Sequence, residues 1–333
     1  MRSPADEPLL CALVVQWGAR DRLGELIERW PQVAAGTPLI VVDNGPQVIR
    51  LQDDPDLRIP SWVEIIRPRQ NLGFAGGVNR ALGATRAKWL LLLNPDAVPE
   101  PGAMDALLQG FDRHPRAAGL IPRLEDASGA SQHAWQLRPL PRAWHLLGQA
   151  LFLPVPLGLR REPAETTPIG QPAAAALALR HDVLAKLGGL EESFYPAWFE
   201  DVDLCRRLAQ HGERLLYWPR ARFHHALGSS VESLGYRSFL WVYSRNLARY
   251  ARRHHGWWAA AGVRCLFPLA CLGRGMLLPL RRPRRARSRR MALGALGALT
   301  AGALSRWRLP TDLARRFALP RQTDGFRPPP GAP

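Results

Sequence analysis

The stretch Trp89-Leu90-Leu91-Leu92-Leu93-Asn94-Pro95-Asp96 (WLLLLNPD, 89–96) decides how the rest of the chain is read. Four consecutive leucines are too short for a membrane span and read as a strand buried on both faces, as in parallel sheets covered by helices. An amide, a proline and an acid stop the run. Its carboxyl end is therefore where a ligand site is sought.

Working outward, similar apolar runs recur at LLCALVV (9–15), PLIVVDN (38–44), WVEIIRP (62–68) and AAGLIPR (117–123). Between them, RDRLGELIERW (20–30) and AGGVNRALGATRA (75–87) space their apolar residues as helices do. Alternating strand and helix predicts an α/β fold with a doubly wound, mostly parallel sheet. Such sheets bind ligands beyond the carboxyl ends of their strands, where Asp43 and Asp96 both fall.

The chain of 333 residues, 47% apolar and 22% charged, is long enough for one large α/β domain with an appendage. Its net charge of +17 is unevenly placed: residues 237–333 hold 20 Arg and 2 acids, whereas residues 1–236 are close to neutral at −1. Four cysteines, Cys11, Cys205, Cys265 and Cys271, form no CxxC pair and no zinc spacing, and read as reduced thiols. The opening MRSPADEPLLCALVVQW sets acids ahead of a short apolar run with no small-residue cleavage site after it, which argues against a signal peptide.

A domain spanning 1–235 is expected, with 138–172 a proline-rich surface excursion of seven prolines. Residues 236–333 form a basic helical tail: a Trp/Tyr/Arg stretch, an apolar segment interrupted by Arg264 and Arg274, the run RRPRRARSRR (281–290) and MALGALGALTAGAL (291–304). Neither apolar piece offers the roughly 20 clean residues of a spanning helix. Trp and Tyr beside Arg suit a segment lying on anionic lipid headgroups.

Several groups are candidates for chemistry. Asp43-Asn44-Gly45 and Asn94-Pro95-Asp96 are turn formers, and turn formation alone accounts for either acid taken singly. Two acids at neighbouring strand ends also fit a sugar-nucleotide site, one accepting from a base or ribose and the other holding a hard divalent cation on a diphosphate. The segment RQNLGFAGGVNRAL (69–82) supplies Asn71, Gly73 and Asn79 between strand and helix, and a helix start offers backbone N–H groups to an anion. In WFEDVDLCRRLAQHG (198–212), Asp203 is explained by pairing with Arg206 or Arg207 at a helix front. Glu200 and Asp201, preceded by FYPAWF, suggest a walled pocket holding a general base, with Trp198 and Phe199 in its wall. Of His224 and His225, alternation along a strand sends at most one into the site.

From about residue 9 to about residue 230 the chain resembles the family 2 inverting glycosyltransferases of GT-A fold, especially their rhamnosyltransferase-like branch. The motifs carrying the resemblance are VVDNG (41–45), NLGFAGGVNRAL (71–82), LLLNPDAVPEPGAM (91–104), GGLEESFYPAWFEDVDLCRRL (188–208) and HALGSS (225–230). By position, it implies that Asp43 recognises the base, that Asp96 with Asn94 beside it stands where the metal-binding Asp-x-Asp motif sits, and that Asp201 is the base. It selects His225 over His224 as a metal or diphosphate contact and implies Mg²⁺ or Mn²⁺ as cofactor. The segment VVQWGARD departs from the family's usual Thr-Tyr-Asn-like first loop, and Asn94 replaces the first acid of the metal motif.

The expected activity is transfer of a rhamnose-like sugar from a dTDP-, UDP- or GDP-linked donor to a lipid-linked or polysaccharide acceptor. The expected place is the cytoplasm, peripheral on the inner face of the cell membrane, with the tail on its anionic surface. A sugar-nucleotide nucleotidyltransferase would open with a glycine-rich loop bearing Arg or Lys, which VVQWGARDRLGEL lacks. A nucleic-acid binder would rest on the Arg-rich tail alone; Lys88 and Lys186 are the chain's only lysines, so a general composition bias explains the arginines. No nucleic-acid partner is expected.

Overall fold

The computed structural model describes residues 7–18, 20–45, 51, 57–226, 234–278 and 288–305. Gly228 and Ser230 of the HALGSS motif, and residues 281–287 of the basic run, lie outside them. Each predicted strand forms. In order come β1 (Leu10–Gln16), α1 (Arg20–Val33), β2 (Leu39–Asp43), β3 (Val63–Ile66), α2 (Gly73–Leu82), β4 (Trp89–Leu93), β5 (Ala97–Pro99), α3 (Ala103–Arg113) and β6 (Gly119–Glu125). Then follow α4 (His133–Gln136), β7 (Leu137–Arg138), α5 (Ala143–Ala150), β8 (Thr167–Ile169), β9 (Gln171–Pro172), β10 (Ala176–Arg180), α6 (His181–Lys186), α7 (Glu200–Gln210) and β11 (Leu215–His225).

The main sheet runs β3-β2-β1-β4-β10-β6-β11-β5, with β8 also paired to β11. Its first four strands are parallel, β10 runs antiparallel to both β4 and β6, and β6 and β11 are parallel again. The four leucines behave as period-two burial demands: Leu91 and Leu93 join the core on one face of the sheet, Leu90 and Leu92 the core on the other. With every one of them at most 1% exposed, each contributes about 1.5–3 kcal/mol of transfer free energy. That anchors the strand whose end carries Asp96.

Residues 138–172 are more structured than their prolines suggest. Between Pro141 and Pro154 the apolar run AWHLLGQA folds as α5, whose buried Leu146 and Ala150 enter a third core cluster. Helical packing there overrides the turn signals on either side.

The same third cluster holds Phe194 and Phe199 together with Phe239, Leu247, Tyr250, Ala259 and Val263 of the tail. The tail is therefore packed against the α/β part of the chain. It consists of a helical segment Tyr236–Leu277, broken at Gly256 where the backbone turns left-handed, and a helix Arg289–Leu304 lying against it. The most apolar 18-residue window of the first segment has a mean hydropathy of 1.3, enough by length and composition to cross a bilayer, and 22% of that window is buried. Arg264 and Arg274 had set the sequence-based limit lower.

Candidate active site

β4 ends at Leu93, and the chain turns through Asn94-Pro95-Asp96 straight into β5, which pairs antiparallel with the end of β11. The register puts Ala97 opposite His225, so Asp96 lies beside that histidine and its carbonyl accepts from the N–H of Ala226 at 3.1 Å. The half-buried Asn94 is tied by its backbone N–H to the carbonyl of Ala175, 2.9 Å away. His225 Nε2 stands 3.6 Å from Asp96 Oδ1, and both side chains are 3% exposed.

Gln132 fixes the imidazole from behind. Its Nε2 donates to the His225 carbonyl at 2.8 Å, which turns its Oε1 toward His225 Nδ1 at 2.9 Å. An acceptor there calls for a proton on Nδ1, leaving the Nε2 lone pair facing Asp96. Burial lowers the pKa of His225, with Asp96 opposing it, so the ring is neutral near pH 7. A carboxylate oxygen and an imidazole lone pair side by side, oriented by a buried amide, fit a divalent cation.

His224 points the other way, as alternation requires. With Glu100 and Glu125 it brings three ligand-type atoms within 4.8 Å of one another. Glu125 is held there by Arg222 at 2.7 and 2.9 Å, with Arg123 Nε 2.9 Å from the same carboxylate. That cluster is an ion network closed by its own cations.

Trp135, on α4, stacks on the His225 ring at 5.2 Å and carries the guanidinium of Arg138 near its own ring at 5.9 Å. From there the wall continues into a cavity of about 140 Å³ lined by Arg138, Pro139, His145, Trp198, Phe199, Asp201 and Tyr243 among others. Trp198 and Phe199 thus share one cavity with Asp201. Both aromatics have left-handed backbones, φ 70° and 77°. Such conformations cost non-glycine residues about 1–2 kcal/mol each and turn the chain sharply into α7.

The acids that open α7 are driven apart in role. Glu200 is 5% exposed, and its Oε2 accepts no hydrogen bond among the described residues. Burial, then the Asp201 charge, pushes its pKa up to about 8, so it keeps its proton at neutrality. Asp201 is half-buried and also raised by burial, but the N–H of Val202 and the charge of Arg138 pull it back. Of the two, Asp201 gives up its proton first. Asp203, fully buried, pairs with Arg207 at 2.7 Å, one of the two partners expected, and also meets His254 at 2.7 Å and Arg253 at 2.8 Å from the tail.

The glycine loop is wired to the protein. Asn44 donates to the Gly73 carbonyl at 2.8 Å and accepts from the N–H of Leu72, and Asn71 accepts from the N–H of Gly73. The N–H of Phe74 goes to the Pro196 carbonyl at 2.7 Å. These bonds engage the N–H groups of Leu72, Gly73 and Phe74, and the last of them ties the loop to Pro196. Gly73 has φ 72°, and a Cβ there would lie 2.7 Å from Pro196 O, so glycine is required. Asn79 likewise bonds the Leu190 backbone through both ends of its amide and donates to Glu192. Asn44 and Asn79 therefore position the site. Asp43 accepts from the N–H of Gly45 and from Arg67 at 2.7 Å, which sets a guanidinium beside the carboxylate at the end of β2.

The sequence profile described as Glycosyltransferase like family 2 matches residues 10–252, spanning every group above except His254 and Arg253. The chain belongs to glycosyltransferase family 2. This glycosyltransferase is 29% identical over 247 residues to N-acetylglucosaminyl-diphospho-decaprenol L-rhamnosyltransferase of Mycobacterium tuberculosis, covering 67% of this chain and 77% of that protein. A pre-mycofactocin glycosyltransferase of the same species is 28% identical over 191 residues, covering 57% of this chain and 37% of that one. Among solved structures, GalNAc-T7 with UDP, GalNAc and Mn²⁺ superposes with a TM-score of 0.53 at 14% identity, over 74% of this chain and about half (51%) of that chain. The glycosyltransferase thus has the GT-A fold its motifs imply.

Sequence reasoning passed over Gln132, Trp135, Arg138 and Arg67. Gln132, Trp135 and Arg67 act through contacts with residues distant in sequence and Arg138 through its charge on Asp201, and none sits in a quotable motif.

Proposed function

We propose that the protein transfers a rhamnose-like sugar from a dTDP-, UDP- or GDP-linked donor to a lipid-linked or polysaccharide acceptor, inverting the anomeric carbon in one displacement. The observation that carries this reading is Asp201: a carboxylate in an aromatic-walled cavity, raised by burial and beside a neighbour that stays protonated. The relative that acts on a diphospho-decaprenol sugar supports a lipid-linked acceptor.

In the mechanism, the acceptor sugar enters the cavity between Trp198, Phe199 and Tyr243, whose aromatic walls exclude water. Asp201 takes the proton of its hydroxyl as the oxygen attacks the anomeric carbon, a contribution of about 10² to 10⁴ in rate. Neutral Glu200 spares the cavity a second negative charge. Arg138 keeps Asp201 ionised. The Asp43–Arg67 pair holds the base end of the donor, to which Asn71, ahead of α2, and Asn94, after β4, also contribute. Mg²⁺ or Mn²⁺ held by Asp96 and His225 would neutralise the departing nucleoside diphosphate, a stabilisation of several kcal/mol.

We place the enzyme in the cytoplasm, on the inner face of the membrane. Trp257 and Trp258 are 70% and 53% exposed, Leu269, Leu272 and Met276 also face outward, and arginines flank them. That composition favours an anionic lipid surface, which would bring the active site to a lipid-linked acceptor.

The test offers purified enzyme dTDP-rhamnose, UDP-sugars and GDP-sugars with N-acetylglucosaminyl-diphospho-decaprenol and Mn²⁺. Transfer from one donor class with an inverted linkage by NMR is expected. Failure of every donor to glycosylate the acceptor, by an enzyme that binds nucleotide, would refute the acceptor assignment; retention of configuration would refute the single displacement.

A further inference from the structure

The two left-handed residues before α7 need something to hold them, and what holds them comes from the tail. Asn246, in the helical segment Tyr236–Leu277, is 0% exposed. Its Nδ2 lies 2.8, 2.9 and 2.9 Å from the carbonyl oxygens of Phe194, Ala197 and Trp198. Its Oδ1 accepts from Arg245 Nη1 at 3.2 Å, and the same Nη1 donates to the Tyr195 carbonyl at 2.6 Å. Acceptors surround one end of the amide and a donor meets the other, so its orientation is fixed.

The geometry of those carbonyls matters. The peptide planes after Ala197 and Trp198 set φ of Trp198 and φ of Phe199, which are the two left-handed torsions. With the Phe199 carbonyl accepting from the N–H of Asp203 at 2.9 Å, holding these two carbonyls restrains both torsions, and with them the direction in which Glu200 and Asp201 enter α7. The aromatic side chains are held by the same helix: Trp198 packs edge-on against Phe239 at 4.9 Å, and Phe199 meets Tyr243 at 5.3 Å and Tyr250 at 5.8 Å.

We infer that Asn246, oriented by Arg245, is a positioning residue that holds the Trp198–Phe199 turn and thereby aims the Asp201 carboxylate into the acceptor cavity. This rests on the proposed role of Asp201 for its kinetic consequence only. It makes the tail part of the catalytic apparatus as well as an attachment surface.

The test compares Asn246→Ala and Asn246→Ser with Leu247→Ala, which truncates a buried apolar neighbour on the same helix whose side chain donates to none of these carbonyls. Hydrogen exchange over residues 194–203 reads the clamp without substrate. Kinetics with dTDP-rhamnose and N-acetylglucosaminyl-diphospho-decaprenol, and calorimetry with dTDP, read its consequence. Asn246→Ala should speed exchange in that segment while Leu247→Ala does not. It should lower kcat about 100-fold, the loss expected from misplacing a catalytic group by about 1 Å, with KM for the donor and Kd for dTDP unchanged. Asn246→Ser, which keeps one donor, should fall between, and it decides the matter if the alanine variant does not fold. Unchanged exchange in residues 194–203, or an equal loss of kcat in Leu247→Ala, would overturn the inference. Should the wild type transfer no sugar while exchange responds as described, the clamp stands and the proposed function falls.

Discussion

Replacing Glu200 by Gln separates the buried acid's effect on folding from its effect on catalysis. In the folded chain Glu200 titrates at about 8, against 4.5 for a free glutamate, because burial and the Asp201 charge disfavour its ionised form. A carboxyl whose folded pKa is raised holds its proton in the folded chain after the unfolded chain has lost it. Stability is therefore greatest below about pH 4.5 for this group and falls as pH rises through the folded value. At about 1.36 kcal/mol per pH unit the full penalty is about 5 kcal/mol, of which about 4 kcal/mol accrues between about pH 5 and about pH 8.5. The glutamine amide would stay neutral throughout, so the variant should gain on the wild type by that amount across the interval. Urea unfolding at a series of pH values measures it, and in thermal melts the gain corresponds to roughly 8 °C at about 2 °C per kcal/mol. Parallel stability curves for the two proteins would show that Glu200 is ionised in the folded chain, and the division of roles with Asp201 would be wrong.

Three further outcomes follow from the same geometry. Arg138→Gln removes the cation that pulls Asp201 down, so the acid limb of the kcat/KM profile should move to higher pH; an unmoved limb would disconnect the two. Gly73→Ala puts a methyl 2.7 Å from Pro196 O on a left-handed backbone, and calorimetry should find it destabilised by about 2–4 kcal/mol. Asp203→Ala leaves the arginines and the histidine that converge on a fully buried site without their counter-charge; chemical denaturation should show a loss of about 3–5 kcal/mol, since breaking a buried pair strands its partners.

The strand WLLLLNPD was legible because double-sided burial leaves a continuous apolar signature, and the end of such a strand points to a site. Alternation along β11 separates His224 from His225, and the family resemblance picked out His225, which the structure sets beside Asp96. The Asp203–Arg207 pair was legible from helix spacing, whereas Arg253 and His254 reach Asp203 only through tertiary packing. The wiring of the glycine loop was less legible: Asn44, Asn71 and Asn79 bond to backbone groups, contacts that the motif itself does not announce. Gly73 is needed for the approach of residues 195–196. Least legible was the tail. A Trp/Tyr/Arg helix announces an amphipathic surface, but nothing in its periodicity says that Asn246 meets the carbonyl of Ala197, 49 residues earlier, because that contact exists only once the third core has formed.

Turnover by Asp201→Asn, measured with saturating donor and acceptor alongside the Kd for dTDP, tests the chemistry most directly. Loss of the base should lower kcat by about 10² to 10⁴ while nucleotide affinity stays as it was. Turnover near the wild-type rate, with the nucleotide still bound, would mean that Asp201 takes no proton and that the cavity's carboxylate is not the base.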